Sequence, residues 1–233
     1  MISIRPSDKR GITKIDWLDS KHSFSFGYYY DPNYMGFSTL RVINEDKVSK
    51  GGGFGTHSHR DMEIVSYVIE GELEHKDSLG NGSVIRPGDV QRMSAGTGIA
   101  HSEFNASSTN PVHFLQIWIL PDTKNLTPSY EQKYFPREEK LGKLKLVGSQ
   151  NGRNDSITIH QDLNLYVSIL NQDQSIDYST EKERNIWLQV VKGMVKIKDQ
   201  ILSDGDGAAI VSETQITIIS LSDESEFLLF DLR

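Results

Sequence analysis

The feature that most limits how this chain can fold is the rhythm of its apolar segments. They are short, rich in β-branched and aromatic residues, and separated by turn residues. Ile64–Ile69, Val112–Leu120, Leu163–Leu170, Ile186–Val191, Gln215–Leu221 and Glu226–Leu232 all have this character. The punctuation includes Glu70-Gly71, Leu79-Gly80-Asn81-Gly82, Pro87-Gly88-Asp89, Lys192-Gly193 and Asp204-Gly205-Asp206-Gly207. Branched and aromatic side chains pack well on a pleated surface, while Gly, Asn and Asp tolerate the backbone of tight turns, so the pattern predicts an all-β sandwich or barrel. Helical periodicity is sparse. One short helix is expected over Glu131–Lys140, after Pro121 and Pro128, as a connector rather than part of a core.

Aligning the turns exposes a weak internal repeat. Val68-Ile-Glu-Gly-Glu-Leu-Glu precedes Val84-Ile-Arg-Pro-Gly-Asp-Val in the first half, and Val190-Val-Lys-Gly-Met-Val-Lys-Ile precedes Ile201-Leu-Ser-Asp-Gly-Asp-Gly-Ala in the second. Each half reads as a hairpin, a Gly turn, a strand and a Gly-Asp corner. For 233 residues, two tandem antiparallel barrels account for the length better than one large sheet. The expected boundaries are residues 1–125 for the first barrel, 126–142 for the connector and 143–233 for the second.

Charge and composition remove several classes of function. Lys+Arg 25 against Asp+Glu 32 gives a net charge of −7, which argues against coating a nucleic acid or docking on an anionic membrane. With no cysteine, thiolate nucleophiles, disulfides and iron–sulfur clusters are excluded, and any transition metal must be held by His and carboxylate. No run approaches the roughly 18 apolar residues of a bilayer span, and the first residues carry no signal-like stretch. The expectation is a soluble, cytoplasmic protein, monomeric by default. Neither a P-loop nor a nucleophile elbow is present.

Two of the seven histidines form His57-Ser58-His59, behind the unobstructed run Gly51-Gly-Gly-Phe-Gly55. His101-Ser102-Glu103 repeats the i, i+2 spacing. Alternate residues of a strand face one side, so two neighbouring strands bearing these pairs would assemble three nitrogens and one oxygen around an ion with open coordination positions. That mixture suits Fe(II), the favoured expectation, with Ni, Co, Mn, Cu and Zn open. Glu63 shares the parity of His57 and His59; an outer acceptor from a ligating imidazole is preferred for it over a fifth ligand or a rim residue. His22, His75 and His160 lack partners at ligand spacing and are expected to be ordinary surface histidines, whereas His113, inside an apolar strand, is expected to be hydrogen-bonded in the core.

Gly51-x5-His57-x-His59-x3-Glu63, with Gly71 beyond it, resembles the first cupin motif. The segment Met93-Ser-Ala-Gly-Thr-Gly-Ile-Ala-His101-Ser-Glu103 departs from the general second cupin motif in its longer spacing before the His and in Ser94 where proline is usual. In that departure it resembles the pirins, which carry Ala-Gly-x-Gly-Ile-x-His-Ser-Glu. His57-Ser-His59-Arg, Val112-His-Phe-Leu-Gln-Ile-Trp-Ile-Leu-Pro and Pro128-Ser-Tyr-Glu-Gln are also pirin-like. Leu165-Tyr-Val-Ser-Ile, Trp187-Leu-Gln-Val-Val and Phe227-Leu-Leu-Phe-Asp resemble bacterial members, so the likeness spans nearly the whole chain.

This resemblance implies a bicupin with four metal ligands, His57, His59, His101 and Glu103, and one divalent ion per chain. The second barrel, which has no His-x-His, would be a structural or partner-binding lobe. It also implies quercetin 2,3-dioxygenase activity, in which a flavonol ring is opened by O2 with release of carbon monoxide and Glu103 serves as the base. Two other classes stay open: a non-enzymatic metal-binding regulator acting through protein partners, without direct DNA contact, and an isomerase or sugar-binding cupin.

Overall fold

The computed structural model describes residues 1–233, and the chain divides into two units. Gly11–Tyr134 with Ile157–Gln161 form the amino-terminal unit; Met1–Arg10, Phe135–Ser156 and Asp162–Arg233 form the carboxy-terminal unit. In chain order the first strands are β1 (Ile2–Arg5), β2 (Gly11–Ile15), β3 (Leu18–His22), β4 (Leu40–Val48), β5 (Gly53–His59), β6 (Glu63–Glu70), β7 (Leu73–Asp77) and β8 (Gly82–Ile85). Next come β9 (Asp89–Ser94), β10 (Ile99–Asn105), β11 (Val112–Ile119), β12 (Ser129–Tyr134), β13 (Lys145–Ser149), β14 (Ile157–Thr158) and β15 (Leu163–Asn171). The rest are β16 (Ser175–Ser179), β17 (Asn185–Lys192), β18 (Val195–Ile197), β19 (Gln200–Leu202), β20 (Gly207–Ile210), β21 (Gln215–Ser220) and β22 (Glu224–Leu232).

The amino-terminal unit is a pair of sheets, ordered β12-β9-β6-β11-β4-β3-β2 and β5-β10-β7-β8. Period-two burial sets which side chains meet between them; along β3, Leu18, Ser20 and His22 are buried and their neighbours are not. Leu73 and Ile85 of the smaller sheet pack with Val68, Val112 and Phe114 of the larger. Each such buried side chain contributes about 1.5–3 kcal/mol over an exposed one.

The carboxy-terminal unit contains the orders β20-β17-β22-β15 and β16-β21-β18-β19. Adding eleven to each strand number in β9-β6-β11-β4 and β5-β10-β7-β8 reproduces them, so the repeat legible in the turns is a repeat of topology. The fold is the expected all-β bicupin, each barrel being a two-sheet sandwich with no ladder joining its sheets edge to edge. One edge explains why the units differ from the expected 1–125 and 143–233 division. β12 pairs with β9 on the margin of the larger sheet, and in the other unit the matching place beside β20 is filled by β1, with Ile2 opposite Ile210 and Arg5 opposite Gly207. The first ten residues therefore belong with the second unit, and Ser129–Tyr134 with the first.

The connector helix shrinks to one 3-10 turn, Arg137–Glu139. Glu131–Tyr134 instead lie in β12, paired with Asp89–Arg92. Pro136 accounts for the correction: it disfavours helical backbone at Phe135, so a helix could begin only after it.

Candidate metal centre

β5 and β10 are neighbours in the smaller amino-terminal sheet, and His57 stands opposite His101. Glu103, two residues on, pairs with Phe54, three residues back, so β5 carries a bulge here. Bulges re-aim side chains, and this one places the Gly55 carbonyl 2.8 Å from Nδ1 of His57. A carbonyl only accepts, so Nδ1 carries the proton and Nε2 is left as a lone pair. Gly53 permits the close approach: a Cβ there would lie 2.4 Å from the Phe104 ring and 2.6 Å from the Glu103 carbonyl oxygen.

The rings of His57, His59 and His101 converge, with centroids 4.5 to 4.9 Å apart, and one ring nitrogen of each lies within 4.8 Å of the others. Nε2 of His59 and both ring nitrogens of His101 are buried without a protein partner. Burial first, and then the neighbouring imidazoles His101 and His57, bring His59 down to about 4; burial, then His57 and His75, bring His101 down to about 3. Both rings are thus neutral at physiological pH and present lone pairs, the form in which imidazole binds a metal. Buried ring nitrogens left without a protein partner are a poor structural motif, and their lone pairs are a good fit to a cation.

Glu103 is buried beside them. Ser66 Oγ donates to its Oε1 at 3.2 Å and Gln116 Nε2 donates to its Oε2, which fixes the plane of the carboxylate. A carboxylate offers about four lone-pair sites, so two such bonds leave capacity for an ion. Ser66 and Gln116 belong to a buried polar row that crosses the larger sheet, Gln91–Ser66–Gln116–Asn44–His22, each residue directly opposite the next. Three imidazoles and one carboxylate are the kind of donors that could hold one transition-metal ion.

A cavity of about 460 Å3 opens onto His57 and His59. Trp17, Phe26, Phe54 and Trp118 supply apolar wall, and Asn44, Asp46 and Gln116 a polar end. The Trp118 ring meets His59 edge to face at 4.8 Å. Asp46 is buried, and that burial pushes its carboxyl up to about 7, with Glu103 and Glu45 raising it further against the opposing hydrogen bond from Ser20.

His57, His59 and His101 form one trio, and Glu103 shares a second with His101 and His75; the reading of the other histidines needs correction. His75 is fully buried, and it forms with His101 and Glu103 a second trio as tight as the first. The spacing His75-Lys-Asp77 repeats the i, i+2 signal and was the cue available in the sequence. His22 is buried too, between Thr13 Oγ1 at 2.9 Å and Asn44 Oδ1 at 2.8 Å, because it continues the inward parity of Leu18 and Ser20. His160 is half-buried and binds Glu63 through Nδ1 at 3.1 Å and through its backbone N–H. Glu63 is therefore engaged by His160 rather than by His57, His59 or His101. Its parity with His57 has no meaning across Asp61, where φ of 49° breaks the strand. His113 is hydrogen-bonded as expected, to Glu45 at 2.9 Å, though on a partly exposed strand face.

Fold and clustered donors together define a cupin with a candidate His/Glu metal site. Residues 5–119 match the family model described as Pirin, and residues 146–232 the one described as Quercetinase C-terminal cupin domain. The chain is 51% identical over 232 residues to a quercetin 2,3-dioxygenase of Escherichia coli K12, covering 100% of this chain and 99% of the relative. A pirin-like protein of Caulobacter vibrioides is 39% identical over 232 residues, with 99% of both chains covered. Among solved structures, the E. coli bacterial pirin YhhW in complex with nickel(II) superposes with a TM-score of 0.95 at 50% identity, covering 100% of this chain and 99% of that one. The chain belongs to the pirin family. No helix is long and apolar enough to cross a membrane.

Proposed function

We propose that this protein is a metal-dependent dioxygenase able to open the central ring of a flavonol such as quercetin with O2, releasing carbon monoxide. The observation that carries the reading is that His57 and His59, the latter with an unpartnered Nε2, line a largely apolar cavity. His57, His59, His101 and Glu103 would hold one divalent ion, which supplies Lewis acidity toward the flavonol 3-hydroxyl and access to dioxygen chemistry. The names of the relatives, with nickel in one of them, support the substrate class and a transition metal.

The chain's own groups do the rest. Phe26, Phe54 and Trp118 flank the cavity with flat apolar surface that suits a planar aromatic and excludes water. Gly55 keeps His57 in the tautomer whose Nε2 faces the centre. Ser66 and Gln116 hold Glu103 in one orientation, and in this reading Glu103 accepts the proton leaving the substrate hydroxyl.

The test is to load the protein with Fe(II), Ni, Co, Mn or Cu in turn, add quercetin, and follow oxygen uptake and carbon monoxide release. Turnover is expected with at least one metal. Its absence with all of them, despite stoichiometric binding, would favour the regulatory reading. Glu103→Gln keeps the shape and removes the base; unchanged turnover in that variant would exclude proton transfer by Glu103.

A further inference from the structure

β10 has a second neighbour. On its other side β7 places His75 opposite Glu103 and Asp77 opposite His101, so the i, i+2 arrangement of β5 and β10 is continued by a third pair. The side chains of both residues are 1% exposed or less, and Nε2 of His75 lies 3.3 Å from Oδ2 of Asp77. Asp77 is itself gripped: the backbone N–H groups of Leu79 and Asn81 and the Asn81 amide all donate to it. Burial pushes this carboxyl up, but the donors from Asn81, His75 and Leu79 outweigh it and hold Asp77 below the usual carboxylate range. An ionised carboxylate only accepts, so Nε2 of His75 carries the ring proton and Nδ1 is a lone pair.

That lone pair is buried and has no partner in the protein. His75 presents a ring nitrogen within 4.8 Å of donor atoms of His101 and Glu103, and its ring lies 5.3 Å from that of His101. On another side it meets the Tyr130 ring at 5.0 Å. A histidine oriented by a locked carboxylate, with one ring nitrogen unpartnered and the ring packed beside His101 and Glu103, has the form of the outer support that metal sites use to fix their coordination sphere. A histidine placed only to fill the core would have no need of a bare acceptor there.

We propose that the His75–Asp77 pair is a positioning element of the metal centre: Nδ1 of His75 accepts a hydrogen bond from a water molecule on the buried side of the ion held by His101 and Glu103, and Asp77 fixes the tautomer that makes this acceptor available. The proposal rests on the assignment of His57, His59, His101 and Glu103 as ligands. It assigns His75 no direct bond to the ion.

The experiment is a Co(II) titration of the full-length protein at one fixed pH, read by calorimetry and by the visible absorption of bound Co(II). His75→Phe removes the acceptor, Asp77→Asn turns the partner into a donor and so moves the ring proton to Nδ1, and His75→Asn keeps an acceptor near the Nδ1 position. His75→Phe and Asp77→Asn are expected to weaken binding 10- to 100-fold and to shift the Co(II) spectrum, while His75→Asn stays within about threefold of wild type. Asp77→Asn preserves volume and carries the test if His75→Phe does not fold. Thermal unfolding of the metal-free variants separates a loss of fold from a loss of binding. Wild-type affinity and spectrum in both His75→Phe and Asp77→Asn would overturn the proposal. A wild-type protein that binds no Co(II), or a His59→Ala variant that binds it normally, would overturn instead the ligand assignment beneath it.

Discussion

The two units share a strand order and use it for opposite ends. In the amino-terminal unit, three strands of the smaller sheet, β5, β10 and β7, carry the pairs His57/His59, His101/Glu103 and His75/Asp77. The matching strands of the carboxy-terminal unit, β16, β21 and β18, carry Ile176/Tyr178, Ile216/Ile218 and Val195/Ile197, which belong to or pack against that unit's apolar core. The larger sheets differ in the same way. The row Gln91–Ser66–Gln116–Asn44 crosses β9, β6, β11 and β4, and the row Ala208–Leu188–Leu229–Tyr166 crosses β20, β17, β22 and β15. One framework thus gathers metal-binding groups when its inward pairs are imidazole and carboxylate, and forms a packed core when they are aliphatic. Burying unpaired polar groups is unfavourable, so the first unit gives up stability to hold a site.

The largest expected effects lie at the inward pairs themselves. His59→Ala or His101→Ala should lower metal affinity by more than the roughly 100-fold seen for loss of an outer support, with far-UV circular dichroism unchanged. At the matching place in the other unit, Ile218→Ala should leave metal binding intact and lower stability by about 2–5 kcal/mol in a urea titration. If Ile218→Ala released the ion, or His59→Ala unfolded the metal-free protein, the division of labour between the units would be wrong.

A smaller effect is expected at Gly53. Gly53→Ala puts a methyl against Phe104 and the Glu103 carbonyl, forcing β5 away from β10. Metal affinity should fall together with a loss of about 1–3 kcal/mol in stability, whereas Gly55→Ala, which meets nothing within 4 Å, should change both less.

The smallest and most specific effect concerns Asp46. Its folded pKa of about 7 exceeds the ordinary aspartate value of 3.8, so as pH rises through 4 the unfolded chain ionises first and the carboxyl increasingly opposes folding. The opposition grows up to about pH 7 and is constant above it. Asp46→Asn should therefore stabilise the metal-free protein at pH 8 by at least about 1 kcal/mol, with the gain vanishing near pH 3. A gain equally large at pH 3 would show that repacking, and not the charge, was responsible.

Much of this was legible in the chain itself. Turn punctuation announced the all-β class and the repeat, and two i, i+2 pairs marked four residues that the structure brings together. The errors have identifiable causes. Pro136 sets β12 apart from the short turn that follows it, a constraint present in the sequence. His75 and His22 are buried rather than exposed because burial follows strand parity: His22 continues Leu18 and Ser20, and His75 stands two residues from Asp77. Glu63 shows the reverse failure, since parity was carried across a break in the strand at Asp61. The β1 exchange is non-local, and no residue of Ile2–Arg5 identifies Gly207–Ile210 as its partner.

The central claim is that imidazoles from two neighbouring strands and one buried carboxylate gather a single ion. X-ray absorption of the Ni(II)-loaded protein, with its metal content measured on the same sample, tests it most directly. One nickel per chain in a nitrogen and oxygen shell containing three imidazoles, reduced to two in His59→Gln, is the predicted result. A shell with no imidazole scattering, or an unchanged imidazole count in His59→Gln, would contradict it.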